Sequence, residues 1–179
     1  MPLLQIYHPL VFSSKQAMIK LLIMTEITKP DMERLQAFQA LRNEVHQQME
    51  RSIQARLAAG NYRPTDFELE IDAFEEEIEP QVLDAVKEFN RKGYKTISSG
   101  FAGEYGERQQ IDGSFSVDST TGERLAFLGV SVKPFPDPYM PGQIIFFYPG
   151  KPDLAEITAK WKQIAHILPD CTKPQRNKG

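Results

Sequence analysis

The sequence contains one cysteine, Cys171, one tryptophan and three histidines in 179 residues. A lone cysteine closes no internal disulfide, so the fold must rest on its own apolar core, and this usage fits a reducing, cytosolic setting. His8, His46 and His166 stand neither beside the cysteine nor at the spacing of a zinc-ligand pair. No zinc site and no histidine-activated nucleophile can therefore be read from them. The patterns GxxxxGK[ST], GxGxxG and GxSxG are also missing, which removes the common phosphate loops and the strained serine elbow. Long hydrophobic runs are scarce. The opening segment MPLLQIYHPLVFSSKQAMIKLLIM is broken by His8, Lys15, Gln16 and Lys20, short of the roughly 18 to 20 apolar residues of a membrane span. It carries no basic residues ahead of its apolar part and no small-residue cleavage site behind it, unlike a signal peptide. Two readings of residues 1–27 stay open: an overextended start ahead of Met24, or an edge strand over LLQIYHPLVF.

What is present is an ordinary globular composition, 41% hydrophobic and 25% charged. The length suits one domain with a sizeable core and is short for two. The net charge of −3 is unevenly spread. Residues 61–93 hold ten acids and four bases, and residues 151–179 three acids and six bases. The only basic run is the tail CTKPQRNKG, residues 171–179. A phosphate backbone needs cations gathered on an ordered face, so nucleic acid is not an expected partner.

Thr28 and Asp31 form a capping-box-like pair around Pro30, and a helical pattern follows to Gly60. Met32, Leu35, Phe38, Leu41, Val45, Met49, Ile53 and Leu57 recur in steps of three and four, which puts them on about half of the helix circumference. Thirty residues reach roughly 45 Å, more than the width of such a domain. Part of the stripe is expected to meet a protein partner or a second copy of the chain, with Met32 to Leu57 as the contact. A second helix is predicted from Pro80 to the stop NRKGY, with Val82, Leu83, Val86 and Phe89 on its apolar side. Between the two, RPTDFELEIDAFEEEIEP alternates as a strand would at Phe67, Leu69 and Ile71, or forms an acidic helical turn.

Beyond Gly93 the period changes. YKTISS reads as a strand, GSFSVD and RLAFLGVSV as a hairpin about STTGE, and QIIFFY as a buried strand after the prolines 134, 136, 138 and 141. PDLAEITAKWKQIAHIL makes a closing helix capped by Asp153. The resulting class is α+β: a mostly antiparallel sheet of about four strands with helices packed on one face, spanning 61–170 and preceded by the long amphipathic helix 28–60. No internal repeat is visible.

Three stretches are candidates for binding. The acids from Glu68 to Glu79 are dense, but the run holds no glycine or asparagine to build a calcium loop, so a solvated face or a docking surface suits it better than a metal. VKPFPDPYMPGQ offers Phe135, Tyr139 and Met140 among its prolines, as a polyproline ligand would, though an inter-strand loop uses proline in the same way. YKTISSGFAGEYGERQQIDG, residues 94–113, ends a strand in Ser98 and Ser99 and continues as a loop through Gly100, Gly103 and Gly106. Glu104 and Glu107 stand against phosphate in that loop, with Arg108 the only answering cation among residues 100–113. Thr96, Ser98, Ser99, Gly100, Phe101, Gly103, Tyr105 and Arg108 are the candidate ligand-binding residues, either around a planar, weakly charged molecule or as a plain glycine-hinged connection.

NRKGYKTISSGFAG resembles the helix end and serine-rich strand of small, mostly uncharacterised α+β proteins, and is distantly similar to the wybutosine-synthesising methyltransferase family. The matching positions are Lys92, Gly93, Tyr94, Thr96, Ser99 and Gly103. In that family the serine-rich strand end contributes to the active region. Here Ser98, Ser99, Gly100 and Phe101 stand where a cysteine would, and no aromatic-histidine follows. The resemblance therefore implies the α+β fold rather than the chemistry. The expected function is a non-catalytic binder that meets a partner or itself through the long helix, with a small-molecule pocket at 96–108 as the alternative.

Overall fold

The structure, a computed structural model, describes residues 29–60, 77–135 and 142–172. The chain divides into two compact units, Met1–Met32 and Glu33–Gly179. All but the last four residues of the first unit fall outside the described residues. So do Thr28, most of the acidic run, the strand-or-helix segment 66–72, prolines 136, 138 and 141, and the tail from 173.

Helix α1, Lys29–Ala58, covers the expected long helix. Its stripe does not stay on one side. From Leu41 to Leu57 the apolar residues recur every four positions, and each such step advances the side chain by about 40° around a helix of 3.6 residues per turn. Phe38 and Val45 are fully buried, Met49 and Ile53 are half-buried, and Leu57 is 42% exposed. By Leu57 the stripe has turned about 120° from Val45. Helix α2, Pro80–Arg91, starts on the proline that its first turn tolerates and buries Val82, Ala85, Val86 and Phe89. It ends as Tyr94 N–H reaches back to Phe89 O (3.0 Å) and Gly93 N–H to Asn90 O (2.9 Å), closing the last carbonyls.

Four strands and two more helices follow: β1 Thr96–Ala102, β2 Arg108–Gly113, α3 Ser119–Phe127, β3 Ser131–Pro134, β4 Gln143–Phe147 and α4 Leu154–Ile167. The strands form one sheet in the order β1-β2-β4-β3, and every neighbouring pair is antiparallel. The fold is thus α+β with a four-stranded antiparallel sheet. β1–β2–α3 and β3–β4–α4 trace the same path, hairpin then helix, with β2 and β4 side by side at the centre. Both helices begin on an aspartate. Asp118 accepts Thr121 N–H (2.7 Å), and Asp153 accepts the N–H groups of Ala155 and Glu156.

Two local expectations are corrected. The loop expected over 100–113 is a hairpin whose second strand is β2, so Gly100 and Phe101 lie inside β1 and only residues 103–107 turn. The hairpin expected about STTGE is α3. Once Asp118 caps the segment, Thr121 and Leu125 fall one turn apart on a buried side, and only Ser131 and Val132 of RLAFLGVSV remain extended, as the start of β3.

Among the described residues one cluster holds the core. Val82, Ala85, Val86 and Phe89 of α2, Leu125 of α3, and Ile157, Trp161, Ile164 and Ala165 of α4 meet Ile111, Ile145 and Phe147 of the sheet. Register makes those strand residues one face, since Ile111 sits opposite Ile145 and Phe147 opposite Gln109. Phe89, Tyr94 and Phe115 pack edge-on or tilted at 5.3 to 6.4 Å between ring centres. Lys92 is buried beneath α4, where its Nζ donates to Ala165 O (2.6 Å) and Leu168 O (2.7 Å), carbonyls that the helix end leaves open.

Candidate functional site

The β1–β2 hairpin places the eight residues singled out from the sequence, and strand alternation separates them. Ser98 lies opposite Asp112 and Ala102 opposite Arg108, on the face that also carries Phe146. Ser99 and Phe101 lie opposite Ile111 and Gln109, on the face of the core. Ser98 Oγ donates to Asp112 Oδ2 (2.7 Å), and Gln110 Nε2 to Asp112 Oδ1 (2.7 Å), so the partly exposed serine is already bound. Arg108 stacks over the Phe146 ring at 5.5 Å from its centre. Thr96, at the far end of β1, accepts from Asn90 Nδ2 (3.2 Å). Gly103 and Tyr105 belong to the turn, where Tyr105 N–H donates to Glu107 Oε2 (3.0 Å).

Gly100 and Phe101 do share a site, with residues the sequence did not single out. Glu79, the residue before α2, is buried against the outer edge of β1. Its Oε2 accepts the Phe101 N–H (2.8 Å) and Gln81 Nε2 (2.5 Å), and its Oε1 accepts His46 Nε2 (2.7 Å) from α1. The His46 ring meets Phe101 edge-on at 6.4 Å. Gly100 has φ of +122°. A Cβ built there would overlap the carboxylate, with even the farther oxygen, Oε1, only 2.7 Å away. A glycine is therefore what lets the carboxylate reach the strand.

Behind Glu79 the network runs inward. Gln81 Nε2 also reaches Gln109 Oε1 (3.3 Å), and Gln109 is wholly buried. Gln81 Oε1, Gln109 Nε2 and Arg108 Nε are buried without a hydrogen-bond partner among the described residues, and so is Trp161 Nε1 in the core. A carboxylate out of water is stabilised when it accepts several donors, and Glu79 accepts three. With His46 half open to solvent, the histidine contact adds less than a buried pair would.

The chemistry this allows is limited. His46 and Glu79 make a histidine–carboxylate pair, while Ser98, two residues before Gly100, is engaged by Asp112 on the other face. Among the described residues no three histidine, cysteine or carboxylate groups gather as a metal cage, and no helix is long and apolar enough to cross a membrane. Shallow cavities lie on helices among the described residues. One of about 400 Å³ is lined by Gln47, Glu50, Arg51 and Gln54 of α1, and one of about 480 Å³ by Leu128, Lys162, Gln163, His166 and Ile167. No family model matches the chain, and no curated protein or solved structure does.

The sequence carried little signal for this site. Glu79 is the last acid of a run that reads as solvated, and Gln109 is a polar residue at a core-facing position. The single usable hint was Glu79 directly ahead of Pro80, where a helix starts and its side chain turns back toward the fold.

Proposed function

We propose that the protein is a non-catalytic binding module that pairs with a second copy of itself through the C-terminal half of α1. The observation that carries this reading is the drift of the apolar stripe: Phe38 and Val45 are spent on the chain's own fold, while Leu57 is left 42% exposed and Ile53 half-covered. An antiparallel copy centred on Ile53 would set Met49 against Leu57 and Glu50 against Arg56, a self-complementary surface of the kind two-fold dimers use. The Thr96 and Ser98 hydroxyls, hydrogen-bonded within the chain, and Arg108, stacked on Phe146, support the same reading, because they do not converge on one space.

Light scattering on the full chain tests it. Leu57→Glu should weaken this association by about tenfold or more, since a charge replaces buried apolar area, and should lower the melting temperature only at concentrations where the parent chain is associated. An unaltered mass profile for Leu57→Glu would remove the reading.

A second reading, a small-molecule site at the hairpin, is favoured by one observation, the unpartnered Gln81 Oε1 and Gln109 Nε2 behind Glu79. A thermal-shift screen with nucleotides, methyl-donor cofactors and divalent ions decides it, because a ligand that binds only the folded state raises stability with its concentration. No shift with any of them would end that reading.

A further inference from the structure

Phe127 closes α3 with 92% of its surface exposed, although Thr121 and Leu125 of the same helix are buried. The geometry explains the contrast. Two residues beyond Leu125, the side chain points about 200° around the helix, away from the core. Glu123, four residues earlier, is exposed on that same outward side. Leu128, the next residue, lines the groove of about 480 Å³ whose other walls are Ile167, Gln163, Lys162 and His166 of α4 and its end. An apolar projection and an apolar recess thus adjoin on one surface, with an acid beside the projection and a lysine beside the recess.

We propose that this surface joins two copies of the chain about a two-fold axis, the Phe127 ring of each filling the groove of the other. An axis between neighbouring knob and hole satisfies both contacts at once, which is what an isologous interface requires. Charge matches as well as shape. Seating Phe127 carries Glu123, one turn back on α3, to the rim that holds Lys162. Lys162 sits 2.9 Å from Asp84 within its own chain, but both side chains are more than half exposed, so that contact yields readily. The interface uses none of the α1 residues and stands independently of pairing through Leu57.

Sedimentation velocity on the full chain, Phe127→Ala, Leu57→Glu and the double variant tests the proposal. Phe127→Ala should halve the mass of the assembly that the parent chain forms, while the melting temperature in solutions dilute enough that both chains are monomeric stays unchanged, because the ring touches little of its own fold. Leu57→Glu should keep a dimer, and adding Phe127→Ala to it should leave monomer. Glu123→Lys should weaken the Leu57→Glu dimer by about tenfold, and Lys162→Glu in the same chain should restore it. A Leu57→Glu chain that is monomeric at about 100 μM, or an assembly whose mass ignores Phe127→Ala, would overturn the proposal. So would a monomer whose groove instead takes up an apolar peptide or an anionic amphiphile. Loss of mass in Leu57→Glu that Phe127→Ala does not deepen condemns this surface alone, and the reverse pattern condemns only the α1 pairing.

Discussion

Gly100→Ala probes whether the carboxylate at the edge of β1 is a structural requirement of the fold. Two terms add. A side chain at φ +122° sits in a region that L residues rarely occupy, at about 1 to 3 kcal/mol. The new Cβ also collides with the Glu79 carboxylate. If the carboxylate swings away, the Phe101 N–H loses a charge-assisted acceptor at 2.8 Å and Gln81 and His46 lose theirs, a penalty of about 1.5 to 3 kcal/mol for the backbone donor alone. The expected destabilisation is about 3 to 5 kcal/mol.

Gly129→Ala is the matched control. Its φ is +69°, but a Cβ there meets nothing within 4 Å, so the backbone term stands alone at about 1 kcal/mol. Urea unfolding followed by circular dichroism gives both values, provided the slope with denaturant is unchanged. A cycle with Glu79→Ala isolates the clash: in that background Gly100→Ala should cost about 2 kcal/mol less than in the parent chain. If Gly100→Ala and Gly129→Ala destabilise equally, the carboxylate has room to move and the account of the strand edge is wrong.

Lys92→Met removes the two donors that close α4 at Ala165 O and Leu168 O, and should lower stability by about 2 to 4 kcal/mol; a loss below about 1 kcal/mol would mean water takes over those carbonyls. Tyr94 donates to Pro169 O (3.0 Å), and burial, reinforced by Cys171, raises its hydroxyl well above the ordinary tyrosine range. The unfolded chain then sheds this proton first, so Tyr94 contributes full stability below about pH 10 and loses it as the pH climbs further. Tyr94→Phe should flatten the alkaline limb of a melting-temperature profile, and a limb of unchanged slope would refute the assignment. Asp118 and Asp153 are both held below the usual carboxylate range, Asp118 by the Thr121 N–H and Asp153 by the Glu156 N–H. Their contribution is present above about pH 4 and disappears as the pH falls through the lowered folded values. The acid limb should therefore shrink in Asp153→Asn, which keeps a capping oxygen but cannot titrate.

The helices were legible wherever spacing and caps agreed. Val82, Val86 and Phe89 beside Pro80 gave α2, and Asp153 with Ile157, Trp161 and Ile164 gave α4. β2 was hidden because Arg-Gln-Gln-Ile-Asp shows no alternation: Gln109 holds a core-facing position beside Ile111, and Asp112 is buried on the other face by Ser98 and Gln110. α3 was hidden by its shortness, by Gly122 inside it and by β-forming threonines, and only Leu125 and its cap oppose these. The repeated hairpin-helix path has no counterpart in composition, since topology repeats while the side chains do not. For Glu79 and His46 the obstacle was distance along the chain. An acid and a histidine 33 residues apart become partners only once α1 and the start of α2 have converged on one strand.

The sheet's edges bear on how copies of the chain could meet. An open strand edge is a template for another strand, and both ends of this sheet are closed to that use. β3 has four residues, of which Lys133 is exposed and Pro134 has no N–H to offer. On β1 the Phe101 N–H is consumed by Glu79, Gly100 departs from extended geometry, and the pairing slips between Thr96 and Ser98. Addition of a foreign strand would have to displace a carboxylate that holds three donors, or pair with a short edge lacking one of its own. Self-association built on strands is thereby disfavoured, and the burden passes to side-chain surfaces on the helices. Leu57 on α1 and Phe127 on α3 are the large apolar residues that the helices leave exposed among the described residues. Their positions, rather than any sheet edge, are where the two self-association readings stand or fall.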